Sequence, residues 1–236
     1  MITIAIPTGN LFQESLERLR AAGIVNVAAE EIGRRLVLRS DGATLITVRP
    51  LDVVSYVDHG SADLGIVGKD VLWETELTHY ELLDLGFGRT RLVMAVPEGS
   101  KLLRRDSWPP RLRVATKYLA AARRFFDGEG QEVELIKLYG SVELAPLVGL
   151  ADAVVDLSET GRTLRENNLR EVAELGLSTA RLIANQVSLR TRSEEVQQAV
   201  ALIRAGAGGT AKQAGPPVAP AAPPPIWLDP GRPGAS

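Results

Sequence analysis

The sequence lacks cysteine entirely and has only two histidines among its 236 residues. The absence of cysteine excludes disulfides, thiolate nucleophiles and cysteine-ligated metal sites. The two imidazoles, His59 and His79, are too few for a histidine-rich metal site. Positive charge is not in excess, because the formal net charge is −2, so no general nucleic-acid or anionic-membrane surface is indicated.

Long apolar segments are missing as well. No run approaches the ~20 consecutive apolar residues that a membrane-spanning helix needs. Residues 1–6 lack the charged start and the long apolar region of a signal peptide. We therefore expect a cytoplasmic protein with no membrane partner and no nucleic-acid partner.

The composition is that of a globular protein, with 45% hydrophobic and 24% charged residues. Short β-branched runs alternate with helical stripes, and residues 91–176 form a β-α-β-α-β series by themselves. Such alternation predicts an α/β fold with parallel strands covered by helices. Residues 207–236 hold eight of the 14 prolines and consist mainly of alanine, glycine and proline. This composition predicts a disordered tail, since it can bury little apolar area.

Residues 151–164 are the most informative stretch of the chain. An apolar, β-branched run at 153–155 predicts a strand that is covered on both faces. Ligands of open α/β sheets bind outside the carboxyl ends of such strands, and a helix N-terminus at that position suits phosphate. The polar residues that follow the apolar run are candidates for a binding site: Asp156, Ser158, Glu159, Thr160, Gly161 and Thr163.

The chemistry of this candidate site has two halves. Gly161 can adopt a positive φ and bring the backbone close to an anion, while Thr160 and Thr163 offer hydroxyl donors. Asp156 and Glu159 would repel a phosphate but accept hydrogen bonds from sugar hydroxyls. A ribose 5-phosphate satisfies both halves. The alternative is an ordinary strand–turn–helix connection capped by threonine.

Three other junctions between a predicted strand and a predicted helix are weaker candidates. Gly9 lies in a turn after the first strand, and Arg49 precedes a helix that begins near Pro50. Gly68 and Lys69 resemble a fragment of a phosphate loop but lack the Walker A spacing. A structural turn explains the glycines equally well, and a solvated arginine explains Arg49.

Several blocks of the sequence resemble the family of ATP phosphoribosyltransferase, which opens histidine biosynthesis. The resemblance covers about residues 1–205 in order and leaves the tail outside. The blocks that carry it are Arg49-Pro50 with Asp52, residues 62–70, 84–88, 113–118, 143–149, Asp156-Leu157, 160–164 and 180–185.

The resemblance implies a fold and a division of the chain. The expected architecture is two α/β lobes like those of a type II periplasmic binding protein, with mostly parallel sheets flanked by helices and a ligand cleft between the lobes. One lobe is expected to comprise residues 1–90 plus 180–206. The other, 91–179, is expected to carry the loop that binds phosphoribosyl pyrophosphate.

The resemblance also implies a reaction, in which the 5-phosphoribosyl group of phosphoribosyl pyrophosphate is transferred to N1 of ATP. Mg²⁺ is expected to accompany the pyrophosphate, so no dedicated metal cage is expected. No catalytic acid or base is assigned, because positioning and charge stabilisation carry such chemistry. The residues implied for phosphoribosyl pyrophosphate are Glu143, Asp156, Ser158, Glu159, Thr160, Gly161, Arg162 and Thr163. Those implied for ATP or pyrophosphate are Gly9, Arg49, Gly68, Lys69 and Asp70.

The first glycine turn departs from the family pattern. Family members carry Lys and Arg where this chain has Thr8 and Asn10. Two cations expected beside phosphates are therefore missing, unless Arg34 or Arg35 replaces them. A divergent paralogue without transferase activity is one alternative, and a two-lobed small-molecule-binding module is another. A different phosphoribosyltransferase would usually place two adjacent acids before its loop, whereas Asp156-Leu157 offers one.

The length implies the short form of the family. The long form adds a histidine-binding regulatory domain, and the composition of residues 207–236 argues against a folded domain there. Short forms work with a separate regulatory subunit resembling histidyl-tRNA synthetase. The resemblance thus implies a homodimer of catalytic chains within a hetero-octamer of four catalytic and four regulatory chains.

Overall fold

The computed structural model describes residues 1–27, 35–40, 42–77, 79–206, 212–213 and 226–227. The chain divides into two compact units, and each contains two separate segments. Unit 1 consists of Met1–Arg89 and Thr179–Ala219, and unit 2 consists of Thr90–Ser178 and Pro220–Ser236. The chain therefore enters unit 2 after residue 89 and returns to unit 1 after residue 178.

Strands and helices alternate along most of the described chain. The strands are β1 (Ile2–Pro7), β2 (Val37–Arg39), β3 (Ala43–Val48), β4 (Leu64–Gly68), β5 (Tyr80–Asp84), β6 (Thr90–Pro97), β7 (Leu112–Thr116), β8 (Val133–Lys137), β9 (Ala153–Ser158), β10 (Leu169–Ser178), β11 (Ala180–Ala184), β12 (Lys212–Gln213) and β13 (Ile226–Trp227). The α-helices are α1 (Phe12–Ala21), α2 (Pro50–Asp58), α3 (Lys69–Glu74), α4 (Leu119–Gly128), α5 (Leu144–Leu147), α6 (Arg162–Glu166), α7 (Gln186–Thr191) and α8 (Ser193–Ala205). Two short 3₁₀ turns, Lys101–Leu103 and Arg105–Ser107, separate β6 from β7.

Unit 1 is built on a mixed sheet with the spatial order β12-β5-β11-β4-β1-β3-β2. Strand β1 pairs in parallel with both β3 and β4, and the whole of β4 is buried because helices cover both faces. A Cβ at Gly65 would approach side-chain atoms of Val57 and Val53 at 2.7 and 2.8 Å. Glycine in β4 therefore allows α2 to pack directly on the strand.

Unit 2 has a second mixed sheet with the order β13-β10-β6-β9-β7-β8. Strand β7 pairs in parallel with β8 and β9, whereas β6 runs antiparallel to β9 and β10. In each unit the strand that directly follows a crossing of the chain, β6 or β11, runs against its neighbours. Parallel pairing thus joins β1 with β3 and β4 and joins β7 with β8 and β9, whereas the other pairings of described strands are antiparallel. The α/β fold is as expected, but the sheets are mixed rather than mostly parallel.

Four described residues of the predicted tail form short strands at sheet edges. Lys212–Gln213 pairs antiparallel with β5, and Ile226–Trp227 pairs antiparallel with β10. At these residues the structure differs from the expected disorder. The rest of that expectation, over residues 207–211, 214–225 and 228–236, lies outside the described residues. Among the described helices, none is long and apolar enough to cross a membrane.

A buried carboxylate ties the last helices to the sheet of unit 1. Asp63 is 7% exposed and lies just before β4. Its side chain accepts hydrogen bonds from the Thr3 backbone N–H at 2.7 Å, from Ser188 Oγ at 2.7 Å and from Arg192 Nη1 at 2.8 Å. Because β1, α7 and the residue before α8 all donate to one carboxylate, Asp63 holds the two chain segments of unit 1 together.

We predict that Asp63→Ala lowers the free energy of unfolding by about 3 kcal/mol, because the Thr3 N–H and the Ser188 hydroxyl lose their acceptor and Arg192 keeps only its exposed carboxylate partner Glu195. Urea denaturation followed by circular dichroism measures the change. The matched control is Asp106→Ala, which removes a carboxylate from the exposed pair with Arg104. The control should leave the midpoint nearly unchanged. Equal midpoints for both variants would contradict the role given to Asp63.

Candidate active site

The carboxyl ends of β7, β8 and β9 lie at one edge of the sheet in unit 2, because these strands pair in parallel. The register sets Thr116 beside Val155, so the next residues, Lys117 and Asp156, are neighbours. Lys117 Nζ lies 3.5 Å from Asp156 Oδ1. Glu143, from the turn before α5, lies close enough for its charge to act on Asp156. The structure thus brings together two of the carboxylates implied for phosphoribosyl pyrophosphate, Asp156 and Glu143, and adds a lysine.

Asp156 is held in an environment that disfavours its charged form. Burial raises the pKa of Asp156 above its ordinary value of 3.8, and the charge of Glu143 raises it further. Lys117 and the Leu157 backbone N–H, which donates to Oδ1 at 2.8 Å, oppose this rise. A half-buried carboxyl group with a raised pKa beside one cation is typical of functional sites.

The loop after β9 has the backbone geometry that the sequence predicts. Gly161 has φ +72° and is the N-cap of α6, in the left-handed conformation that glycine adopts without strain. The N-cap residue itself provides no side-chain hydrogen bond, but Thr160 Oγ1 accepts from the Arg162 N–H at 3.4 Å, so the alternative of a connection capped by threonine is met in part. Thr160 and Thr163 are exposed, and Arg162 pairs with Glu166 at 2.7 Å. The loop therefore presents hydroxyl groups and backbone at the sheet edge.

Ser158 has a different environment from the rest of the loop. It is 6% exposed and donates a hydrogen bond to Glu171 Oε1 at 2.7 Å. Glu171 also pairs with Arg91 at 2.9 Å, while Glu159 is exposed. Strand β9 also extends to Ser158, so Asp156 lies within the strand rather than at its end. The hydrogen bond from Ser158 to Glu171 therefore fixes the start of the loop to strand β10.

Sequence reasoning did not identify Lys117, Glu171 or Arg91 as part of this region. Lys117 could have been found, because it follows a strand parallel to β9 and the carboxyl ends of parallel strands share an edge. The contact of Glu171 with Arg91 joins residues 80 apart in the chain. It depends on the antiparallel pairing of β6 and β10, for which the sequence contains no local signal.

The candidates in unit 1 also share one sheet edge. Parallel pairing of β1 with β3 and β4 collects the turn at 8–10, Arg49 and residues 68–70. Gly9 has φ +83°, and the Thr8 N–H donates to Val48 O at 2.8 Å. Arg49 is exposed at the N-cap of α2. In the described parts of the chain, its side chain has no hydrogen-bond or ion-pair partner.

Lys69 and Asp70 are more constrained. Lys69 Nζ forms an ion pair with Glu81, and its backbone N–H donates to Thr179 O at 3.0 Å. A Cβ at Gly68 would overlap Asp70 Oδ1, so glycine makes room for that carboxylate. Of the two arginines that could replace the missing family cations, Arg34 lies outside the described residues, and Arg35 is exposed.

The described residues contain no group of three or more acidic, histidine or cysteine side chains arranged to hold a metal ion. Asp156 and Glu143 are the carboxylates at the edge of unit 2. This donor set fits a Mg²⁺ ion that takes one or two carboxylates and completes its shell with substrate phosphates and water.

We predict that Gly161→Ala lowers the free energy of unfolding by about 1–2 kcal/mol, the cost of a left-handed backbone in a residue with a Cβ. The added methyl group would also approach Arg165 Nη1 at 2.7 Å and Glu171 Oε1 at 3.0 Å. Gly128→Ala is the control, since a Cβ there meets nothing within 4 Å. It should stabilise the protein by about 0.5–1 kcal/mol. Thermal denaturation of both variants measures the contrast.

We predict that Asp156→Asn makes the protein more stable at pH 7. Since folding raises the pKa of Asp156, the folded state loses stability as the pH rises from the unfolded pKa through the folded one. An amide removes that penalty, so the advantage should vanish near pH 3. The control has the opposite sign: the hydrogen bond from Arg113 lowers the pKa of Asp152, so Asp152→Asn should destabilise at pH 7. Melting temperatures between pH 3 and 7 that moved in the same direction for both would contradict the assignment.

Comparison with known proteins identifies the family. A sequence model of the HisG family, described as ATP phosphoribosyltransferase, matches residues 49–205. The ATP phosphoribosyltransferase of Caldanaerobacter subterraneus subsp. tengcongensis is 45% identical over 206 residues, which cover 86% of this chain and 96% of that protein.

Solved structures give the same result for the fold. The ATP phosphoribosyl transferase (HisG:HisZ) complex from Thermotoga maritima matches with a TM-score of 0.75 and 33% identity, covering 88% of this chain and 99% of that one. The periplasmic aliphatic sulphonate binding protein SsuA from Escherichia coli matches with a TM-score of 0.57 and 13% identity, over 88% of this chain and 72% of that one. The second likeness concerns the fold alone, and it confirms the predicted resemblance to a type II periplasmic binding protein. The chain belongs to the ATP phosphoribosyltransferase family, the enzymes that transfer the 5-phosphoribosyl group of phosphoribosyl pyrophosphate to N1 of ATP in the first step of histidine biosynthesis.

Proposed function

We propose that the loop from Thr160 to Thr163 in unit 2 binds the 5-phosphate of phosphoribosyl pyrophosphate during this transfer. One observation carries the proposal: a left-handed Gly161 and two exposed threonines follow the strand that carries Asp156. Backbone N–H groups and hydroxyls suit a phosphate, and Arg162 adds a positive charge. Asp156 and Glu143 lie at the same edge of the sheet, where they accept hydrogen bonds from the ribose hydroxyls.

Displacement at C1 of the ribose develops positive charge on the sugar ring. Asp156 and Glu143 would stabilise that charge and fix the ring, so the contribution of unit 2 is positioning and electrostatics. Adenine N1 has a free lone pair and needs no general base. Mg²⁺, when bound, supplies positive charge to the pyrophosphate that leaves.

The residues of unit 1 are proposed to contact the polyphosphate of ATP or the pyrophosphate. Arg49 is the strongest of them, because it is exposed at a strand-to-helix junction and has no ion-pair partner among the described residues. Gly9 and Gly68 let the backbone come close to a phosphate group. Lys69 and Asp70 follow Gly68 at the start of α3.

We propose that the chain is a short-form catalytic subunit that acts in the cytoplasm. The match to the catalytic chain of the T. maritima HisG:HisZ complex supports an assembly with a regulatory subunit that resembles histidyl-tRNA synthetase. A homodimer of catalytic chains inside a hetero-octamer is the expected form. Light scattering of the mixed subunits tests the stoichiometry.

The comparisons do not favour the alternative of a divergent paralogue without transferase activity, and the departure at the first glycine turn is the feature that calls for a direct test. Thr8 and Asn10 are both exposed at the edge of unit 1, where the family carries two cations. The deciding experiment mixes the purified chain with ATP, phosphoribosyl pyrophosphate and Mg²⁺, with and without the regulatory subunit. Formation of phosphoribosyl-ATP supports the enzyme, and its absence in both mixtures supports the paralogue.

We predict that Thr163→Val weakens binding of phosphoribosyl pyrophosphate by about 10- to 100-fold, the loss of one hydrogen bond to a charged group. Isothermal titration calorimetry measures the affinity, and circular dichroism checks the fold. Thr191→Val is the matched control, because Thr191 is also exposed but bonds only the Val187 carbonyl within its own helix. Unchanged affinity in Thr163→Val would remove the loop from the phosphate site.

A further inference from the structure

Lys69, a proposed polyphosphate contact, has its charge already engaged inside unit 1. Its ammonium group forms an ion pair with Glu81, and the two side chains are 24% and 12% exposed. Lys69 directly follows the carboxyl end of β4, whereas Glu81 is the second residue of β5 and lies near the amino end of that strand. A phosphate that approached Lys69 would therefore also meet the Glu81 carboxylate.

Glu81 is held in place by a chain of further contacts. Its second oxygen accepts from Arg181 Nη1 at 2.8 Å, and Arg181 Nη2 lies 3.1 Å from Asp84 Oδ2. Asp84 Oδ1 accepts from Thr179 Oγ1 at 2.8 Å. The network contains two cations and two carboxylates, so its formal charge is zero. Because Arg181 is only 16% exposed, a Glu81 side chain that turned away would leave this buried cation with Asp84 as its remaining carboxylate partner among the described residues.

We propose that Glu81 sets the affinity of the enzyme for polyphosphate by neutralising Lys69. The carboxylate competes with the substrate or product phosphate for the same ammonium group. The inference rests on the proposed function, in which Lys69 contacts the polyphosphate. Its consequence is that pyrophosphate binds weakly enough to leave after transfer.

A purely positioning role for Glu81 predicts the opposite sign. Loss of the partner would let the lysine side chain move, and ordering one such side chain is worth about a two- to tenfold change in affinity. Removing a carboxylate within about 6 Å of a phosphate changes affinity by roughly a hundredfold at the dielectric of a partly buried pair. The charge effect is the larger one, so the Glu81→Gln variant should bind polyphosphate more tightly.

The first glycine turn points in the same direction. Thr8 and Asn10 at the same sheet edge are uncharged, where the family resemblance implies cations. In the part of the chain that the structure describes, Arg49 and Arg35 are exposed cations of this edge that have no carboxylate partner. The uncharged turn at residues 8–10 and the pairing of Lys69 with Glu81 both reduce the attraction of unit 1 for anions.

The test measures the dissociation constant of inorganic pyrophosphate with Mg²⁺ for the full chain by calorimetry. We expect Glu81→Gln to bind at least tenfold more tightly than the parent chain, with a steeper dependence on salt. Glu76→Gln is the control of equal charge change, since Glu76 is exposed and belongs to neither network nor site. This control variant should change the dissociation constant of pyrophosphate less than twofold. Adding Lys69→Met to Glu81→Gln should remove the gain.

The outcomes separate the inference from the function on which it rests. If Glu81→Gln is folded by circular dichroism and binds pyrophosphate equally or more weakly, the inference is wrong, while transferase activity of the parent chain still supports the enzyme. A gain that survives Lys69→Met assigns the effect to Arg181 and also overturns the inference. If Glu81→Gln does not fold, the double variant Lys69→Met with Glu81→Gln decides, because it removes one charge of each sign and should bind pyrophosphate within twofold of the parent chain. A tenfold loss in the double variant would show that Glu81 does not cancel the attraction of Lys69 and would overturn the inference.

Discussion

Parallel strand pairing is the constraint on which both candidate regions depend. Strands that run in the same direction end at the same edge, so their exit loops meet whatever their distance in sequence. In unit 1 this rule collects residues 8–10, 49 and 68–70, and in unit 2 it collects Lys117, Asp156 and the loop at 159–161. Each loop can vary without disturbing the sheet, because the buried strands carry the stability. The residues proposed to bind the substrates therefore lie at these two edges.

The two edges handle charge in opposite ways. Unit 2 keeps a carboxyl group, Asp156, where burial raises its pKa, and gives it one exposed lysine as a partner. At pH 7 the free energy of unfolding is lower because of this group, which is expected of a residue retained for ligand contact rather than for stability. Unit 1 instead pairs its buried charges, as Lys69 with Glu81 and Arg181 with Asp84. Such pairing protects the fold but reduces what Lys69 can offer to an anion.

Sequence reasoning reached the local features of the site and missed those that depend on register. The strand, glycine turn and helix at residues 151–164 follow from β-branched residues, Gly161 and the helical restart, and the structure has all three. The antiparallel β6 and β11 were not predicted, because their direction is set by where the chain crosses between units. The partners of Ser158 and Lys69 depend on these strands. Sequence reasoning therefore assigned none of these partners to either region: Glu171, Arg91, Glu81 and Arg181.

The same distinction decides how the departure at the first glycine turn should be understood. Taken alone, Thr8 and Asn10 indicate a weakened enzyme, since two family cations are missing. Taken with the Lys69–Glu81 pair, they belong to an edge whose positive charge is reduced at the first turn and at Lys69, while Arg49 and Arg35 remain without a carboxylate partner among the described residues. A reaction that releases pyrophosphate is slowed by binding that product too tightly, because affinity shared by ground state and transition state does not raise turnover. Low charge at this edge is therefore compatible with transfer, provided that the phosphoribosyl group is held by unit 2.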